Sequence, residues 1–296
     1  MDFPKISVVT VNLNNASFLE ETIQSVLNQK YPNLEYIIID GGSTDGSIEI
    51  IRKYESRLEY WESEKDEGYG FALQKGFGKS TGEIMAWLNS DDVYLPGSLF
   101  TVAEVFKNTP DAQWITGFPS WCNEKGFLLG EMPLTEQAHP YWAKRYDLYQ
   151  KYSRWSSIRY LGGDYLAIQQ ESTFWKRTLW EKAGGKINTS YKLAADTELW
   201  CRFFRHEHLR SVNSIFAAFR LGNEKQLTKT MREAYLKECQ KAIEEERNLL
   251  GFGDLAEHRI QFFLSGLFKP CSYLDLPMGT FYEKLLELPP VIRVNQ

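Results

Sequence analysis

The sequence predicts an α/β fold: a mostly parallel, doubly wound sheet with helices on both faces, extended by a charged C-terminal helical segment. Three observations carry this. Short, nearly continuous apolar runs recur, as in Ser7-Val8-Val9-Thr10-Val11 and Leu34-Glu35-Tyr36-Ile37-Ile38-Ile39, which is how parallel strands covered on both faces read. Segments with helical spacing of apolar residues separate them. Acidic and glycine-rich loops follow the runs, at the strand ends where such sheets bind ligands.

The elements follow in order. After the first strand, Ser17-x-x-Glu20 fits a capping box, and Leu19, Ile23, Val26 and Leu27 repeat at helical spacing until Tyr31-Pro32-Asn33 breaks the pattern. The second strand ends at Asp40-Gly41-Gly42-Ser43-Thr44-Asp45-Gly46-Ser47, a loop opening into a helix through Ile48, Ile51 and Tyr54. A strand at Leu58-Glu59-Tyr60-Trp61 and a helix over Phe71-Ala72-Leu73 and Phe77 precede the apolar run Ile84-Met85-Ala86-Trp87-Leu88. Beyond Pro96-Gly97 come a helix to about Phe106 and a strand near Trp114-Ile115-Thr116. Periodicity fades from about Pro119 to Tyr165. It returns at Ala167-Ile168-Gln169, with helices near Thr178–Lys182 and from Asp196 to His206, and a strand at Ser214-Ile215-Phe216-Ala217. Residues 225–250 are helix-favouring and highly charged.

The length of 296 residues allows one large α/β domain, or a domain with an appendage. A net charge of −5 argues against generalised nucleic-acid binding. Cys122, Cys201, Cys239 and Cys271 form neither a CxxC pair nor a zinc spacing, so reduced thiols in a cytosolic protein are expected. The first residues show no charged-then-apolar leader, and no run of about 18 apolar residues is present. The expected location is cytoplasmic, with peripheral contact at the inner face of a membrane left open.

Two motifs fail on inspection. Gly76-Phe77-Gly78-Lys79-Ser80-Thr81 ends like a P-loop, but the required first glycine falls at Leu73. Gly41-Gly42-Ser43-Thr44-Asp45-Gly46 has serine where a dinucleotide fingerprint needs its second glycine. The informative group is Asn89-Ser90-Asp91-Asp92, two carboxylates at the end of an apolar strand. Asp is also a common turn residue. Hard cations such as Mg²⁺ and Mn²⁺ take oxygen ligands, and Mg²⁺ is commonly held by one or two carboxylates plus substrate phosphates. With Asp40 and Asp45 also at strand ends, a nucleotide diphosphate-sugar accounts for the set. A cation at Asp91-Asp92 would offset the pyrophosphate, and other carboxylates would accept hydrogen bonds from ribose or base.

PKISVVTVNLNN, YIIIDGGSTDGS, SEKDEGYGFALQKGF and TGEIMAWLNSDD, in this order and spacing, resemble the family 2 glycosyltransferases of GT-A fold, over roughly residues 4 to 220. The resemblance implies an inverting transferase that uses Mn²⁺ or Mg²⁺ and moves a sugar from a nucleotide diphosphate-sugar donor to a hydroxyl of a saccharide or lipid-linked saccharide acceptor. Envelope or capsular polysaccharide biosynthesis is the implied setting. It implies that Thr10 and Asn12 line the base pocket, Asp40 accepts from the base, and Asp45 and Asp66 line the donor site. Asp91 would lie against the ribose and Asp92 would hold the metal. Ala194-Ala195-Asp196-Thr197-Glu198-Leu199-Trp200 resembles the motif that carries the general base, which makes Asp196 the candidate, with Glu198 as fallback. Helix capping is the alternative role for Asp45 and Asp196. Gln170-Glu171-Ser172-Thr173-Phe174-Trp175 resembles the acceptor-side region with no role assigned.

One departure concerns Leu221-Gly222-Asn223-Glu224, where many relatives have a metal-reaching histidine. Either the metal has fewer protein ligands, or Asn223 or Glu224 substitutes. The expected organisation is a transferase domain over 1–220, with a nucleotide-sugar half to about 95 and an acceptor half from about 96, and a helical extension over 221–296. Tyr141, Trp142, Tyr146, Tyr149, Tyr152 and Trp155 alternate with Lys144, Arg145, Lys151, Arg154 and Arg159. This fits helix packing, a sugar-stacking groove or a surface for a lipid-linked acceptor. Two other functions compete: a nucleotidyltransferase, whose basic glycine-rich loop is missing after Val11, and a non-catalytic nucleotide-sugar-binding protein.

Overall fold

The computed structural model describes residues 3–117, 120–128, 168–207, 209–212, 214–223 and 230–249. The aromatic and basic segment between Tyr141 and Arg159, Glu224 and Cys271 lie outside them. The first half alternates strand and helix: β1 (Ile6–Asn12), α1 (Ala16–Leu27), β2 (Leu34–Asp40), α2 (Ser47–Tyr54), β3 (Tyr60–Ser63), α3 (Tyr69–Lys79) and β4 (Ile84–Trp87). Then come β5 (Val93–Tyr94), α4 (Ser98–Asn108), β6 (Trp114–Thr116) and β7 (Trp121–Cys122). A 3₁₀ turn at Gln170–Ser172 leads into β8 (Thr173–Lys176), α5 (Arg177–Lys182), α6 (Ala195–Phe204), β9 (Arg210–Ser211), β10 (Ala217–Arg220) and α7 (Arg232–Leu249).

Among the described residues the main sheet runs β3-β2-β1-β4-β8-β6-β9. β1, β2, β3 and β4 are mutually parallel, while β8 runs antiparallel to both β4 and β6. Alternate residues of each central strand enter opposite cores. Val8, Ile38 and Ala86 pack with Leu19, Ile23, Val26, Leu99 and Val102 from α1 and α4. Val9, Ile37, Ile39, Met85 and Trp87 pack with Leu73, Phe77, Leu179, Leu199 and Trp200 from α3, α5 and α6. Both faces are therefore covered, which is why these strands read as unbroken apolar runs. The second core is aromatic, with Trp87 stacked on Trp200 at 5.6 Å and 9°.

A second small sheet, β5-β10-β7, was not expected. Its strands of two to four residues are too short to show periodicity. Pairing also moves two boundaries. β3 begins at Tyr60, after a 3₁₀ turn, because Ile37 to Asp40 of β2 pair with Tyr60 to Ser63. β10 lies at Ala217–Arg220 and not at 214–217, because its partners are Val93-Tyr94 and Trp121-Cys122. The expected capping box is also absent: Ser17 lies inside α1, whose first N–H, on Ala16, is satisfied by Asp45 Oδ2 at 2.9 Å.

Candidate active site

Strand register brings the acidic loops together. Asn12 and Asp40 are partners at the carboxyl ends of β1 and β2, and Ser63 sits opposite Asp40 at the end of β3. Asp40 is fully buried. Its Oδ1 accepts from Asn12 Nδ2 at 2.7 Å and Ser43 Oγ at 2.6 Å; its Oδ2 accepts from Gly42 N, Ser43 N and Ser63 Oγ. The carboxylate thus ties three strand ends and the glycine loop into one floor. Gly42 has φ +83°, and a Cβ there would meet the backbone of Lys65 at 3.1 Å. Asp66 accepts from Gly68 N and lies over Gly41, where a Cβ would come within 3.1 Å of its carboxylate.

The sequence-predicted donor residues are placed unequally. Thr10 is wholly buried, its hydroxyl 3.1 Å from that of Tyr36. Asn12 is buried, and its Oδ1 has no hydrogen-bond partner among the described residues. Asp45 is exposed. Besides Ala16 it accepts from the backbone N–H and hydroxyl of Ser47, so it joins the first turns of α1 and α2. Slight burial pushes its pKa up, but these hydrogen bonds favour the carboxylate and leave the pKa below its ordinary value.

Across the floor stands the Asn89–Asp92 turn. Asp91 is partly exposed and its Oδ2 accepts from Asn223 Nδ2 at 2.9 Å. Asp92 is fully buried: Oδ1 accepts from the Arg220 backbone N–H at 3.0 Å and Oδ2 from Asn89 Nδ2 at 3.4 Å. Burial first, then the charges of Asp91 and Glu171, push its pKa well above the usual carboxylate range. Asn15 links this turn to the β1 loop by donating to Ser90 Oγ at 3.1 Å. No group of three His, Cys, Asp or Glu side chains able to hold a metal occurs among the described residues.

Asp196 occupies the first turn of α6, where its Oδ1 accepts from Thr197 N at 2.7 Å. Burial raises its pKa to about 6. Glu198, the fallback, is held in an ion pair with Arg202 at 2.8 Å. Tyr69 connects the two sides. Its hydroxyl donates to Asn89 Oδ1 at 2.9 Å and accepts from Trp87 Nε1 at 2.9 Å, and its own pKa is raised by burial and then by Asp196, Asp92 and Asp91. Tyr69 thus touches the Asn89–Asp92 turn directly and lies within electrostatic reach of Asp196.

Sequence reasoning assigned no role to three groups here. Arg220 is fully buried. Its Nε donates to the Asp91 carbonyl, its NH1 to the carbonyls of Asn123 and Glu124, and its NH2 to Glu21, while the guanidinium lies over the Phe18 ring. A basic residue closing an apolar run was the available signal. Glu171 is buried, with Oε1 unpartnered among the described residues, and burial followed by the charges of Asp91 and Asp196 holds its pKa up to about 8. Tyr69 carried no signal of its own. Gly222 stands in the segment where the histidine was expected. Its φ is +100°, and a Cβ there would lie 2.5 Å from Glu124 Cγ. Asn223 is the neighbour that reaches Asp91.

The glycosyl transferase family 2 model matches residues 7–178. An uncharacterized glycosyltransferase of Nostoc sp. is 37% identical over 108 residues, 36% of this chain and 34% of the relative. TuaG of Bacillus subtilis, whose name assigns it to teichuronic acid biosynthesis, is 33% identical over 118 residues, 39% of this chain and 47% of the relative. Both matches thus span less than half of the relative's own length. Among solved structures, S. aureus TarS 1-349 in complex with UDP-GlcNAc superposes with a TM-score of 0.62 at 15% identity, covering 84% of this chain and 68% of that one. The mannosyltransferase PcManGT of Pyrobaculum calidifontis, in complex with GDP-Man and Mn²⁺, gives 0.56 at 15% identity over 97% and 88%. These structural likenesses establish the GT-A fold.

Proposed function

From the premise that the chain belongs to glycosyl transferase family 2, we propose that it transfers a sugar from a nucleoside diphosphate-sugar to a hydroxyl of a saccharide or lipid-linked saccharide, with inversion. The observation that carries this is Tyr69, whose phenol joins the Asn89–Asp92 turn and feels the charge of Asp196. A leaving group and an attacking hydroxyl need groups on two sides of the reacting carbon, and among the described residues the Asn89–Asp92 turn and Asp196 offer such a pair.

In this reading Asp196 takes the proton of the acceptor hydroxyl as that oxygen attacks the anomeric carbon from the face opposite the diphosphate. A base with pKa near 6 is ionised at neutral pH yet basic enough to accept a proton. On the donor side, Asn12 Oδ1 is a buried acceptor without a partner among the described residues, suited to an N–H of the base. Asp40, with five donors already on its carboxylate, holds that pocket's shape. Thr10 contributes from beneath, and Asp66 lines the donor site above Gly41.

The oxygen donors fit a hard divalent cation, Mg²⁺ or Mn²⁺. Burial favours Asp91 over Asp92 as the protein ligand, since Asp91 is partly exposed while Asp92 is enclosed and bonded to Arg220 N. The Asn223 amide N–H donates to Asp91 Oδ2 and orients that carboxylate. When bound, such a cation stabilises charge on the departing diphosphate. The setting of a relative named for teichuronic acid biosynthesis supports a polysaccharide acceptor.

Thermal shift against UDP- and GDP-sugars, with and without Mn²⁺, followed by assay of nucleoside diphosphate release, tests the reading. Stabilisation by one class with release of its diphosphate is expected. No stabilisation by any nucleotide-sugar, or release of pyrophosphate from a nucleoside triphosphate instead, would overturn it.

A further inference from the structure

Helix α7 packs its buried residues Cys239 and Ala242 against Tyr191 and Ala194, and Ile243 joins the aromatic core. Glu246 pairs with Arg205, and Glu245 accepts from the Tyr191 hydroxyl at 2.6 Å. Its most specific contact is Glu238. The carboxylate accepts the backbone N–H groups of Lys192 at 3.2 Å, Leu193 at 2.8 Å and Ala194 at 3.0 Å. These residues lead directly into α6, whose N-cap is Ala194 and has no side-chain cap of its own. The first N–H groups of a helix have no internal partner, and a carboxylate near them also complements the helix dipole. One residue further along α7, the Cys239 thiol lies 3.3 Å from the Thr197 hydroxyl. Asp196 is thus held on one side by Glu238, through residues 192–194, and on the other by Cys239, through Thr197.

We propose that Glu238 is a positioning residue for Asp196, so that helix α7 is part of the catalytic apparatus and not an appended support. The proposal rests on the reading of Asp196 as the base. Glu238 reaches no reacting atom in it. It fixes the backbone from which the Asp196 carboxylate projects, and a displacement of about 1 Å at a reacting group can cost on the order of 100-fold in rate.

The experiment compares the parent with Glu238→Ala, Glu238→Gln, Asp196→Asn and, as a control on an exposed acid of the same helix, Glu244→Gln. Each is assayed for nucleoside diphosphate release with the UDP- or GDP-sugar that gives the largest thermal shift. Glu238→Ala is expected to lower kcat about tenfold or more with donor KM changed less than about twofold. Glu238→Gln, which keeps one acceptor oxygen for the same N–H groups, should retain an intermediate kcat, and it carries the test if the alanine variant does not fold. Glu244→Gln should match the parent. Parental kcat in both Glu238 variants, or a loss of kcat and donor affinity together, would overturn the positioning role. Parental release by Asp196→Asn would instead remove the reading of the base, so the two failures are distinguishable.

Discussion

Arg220 donates from Nε to the Asp91 carbonyl at 2.6 Å while its backbone N–H donates to Asp92 Oδ1 at 3.0 Å, across 129 and 128 residues of chain. The turn carrying the paired carboxylates is therefore held by β10 as well as by its own Asn89–Asp92 hydrogen bonds. Removing the guanidinium would leave three backbone carbonyls without a strong donor, each costly to leave unpaired where buried. Arg220→Met should destabilise the protein by about 3 kcal/mol and abolish donor-induced stabilisation. Urea unfolding and thermal shift with UDP- and GDP-sugars measure the two effects.

The two carboxylates should respond differently to mutation. Asp91→Ala is expected to fold normally and to lose the Mn²⁺-dependent part of the donor-induced thermal shift. Asp92→Asn preserves the side chain's shape and should keep most of that shift. A Mn²⁺-dependent shift that survives in Asp91→Ala and disappears in Asp92→Asn would return the cation to Asp92.

The base has a pH signature. Because Asp196 must be ionised to accept a proton, the transfer rate should fall below about pH 6, the value to which burial raises its pKa. The same burial opposes the ionised form. A folded pKa above the ordinary 3.8 contributes stability that is complete at low pH and lost as pH rises through about 6. Asp196→Asn should therefore lose transfer yet be more stable than the parent at pH 8, by on the order of 1 kcal/mol. Rate against pH and denaturation at pH 5 and 8 check the pair.

Glu171 gives a wider window. Its pKa is raised from 4.5 to about 8, so the folded protein keeps a proton that the unfolded chain releases between these values. Stability should fall across that range with a slope approaching about 1.4 kcal/mol per pH unit from this group. Glu171→Gln should flatten the difference curve between pH 5 and 8. A parent and variant with parallel stability profiles would contradict the burial of this carboxyl.

Gly76 sits in α3 against β1, and a Cβ there would lie 2.4 Å from Val9 Cγ1. Alanine is the better helix former by about 1 kcal/mol, but overpacking a core costs about 1–3 kcal/mol. The clash with a stiff β-branched side chain should win. Gly76→Ala is expected to lower stability by about 1 kcal/mol in urea unfolding.

Legibility followed the range of the interactions. The order of the strands and helices through β4 was readable because each buries an apolar face whose spacing is local, and Asp40 and Asp91 stand where strand ends predicted acids. The small sheet was not readable, since Val93-Tyr94 becomes a strand only against Ala217-Ala218. The Ser17 capping box failed for a related reason. Asp45, from the next loop, supplies the acceptor at the start of α1. Asp196 was singled out as a candidate through its motif, whereas Glu171 and Arg220 acquire their character only from burial.

By itself, the sequence determined the α/β alternation, the acidic strand ends and the family, because apolar periodicity and motif spacing are properties of short segments. Only the tertiary structure decided which acid of the Asp91-Asp92 pair faces outward, which groups hold the turn, and that Glu238 of α7 caps the helix bearing Asp196. The physical reason is that burial, hydrogen bonding and like-charge proximity set the behaviour of a carboxylate. All three depend on residues that are neighbours in space and distant along the chain.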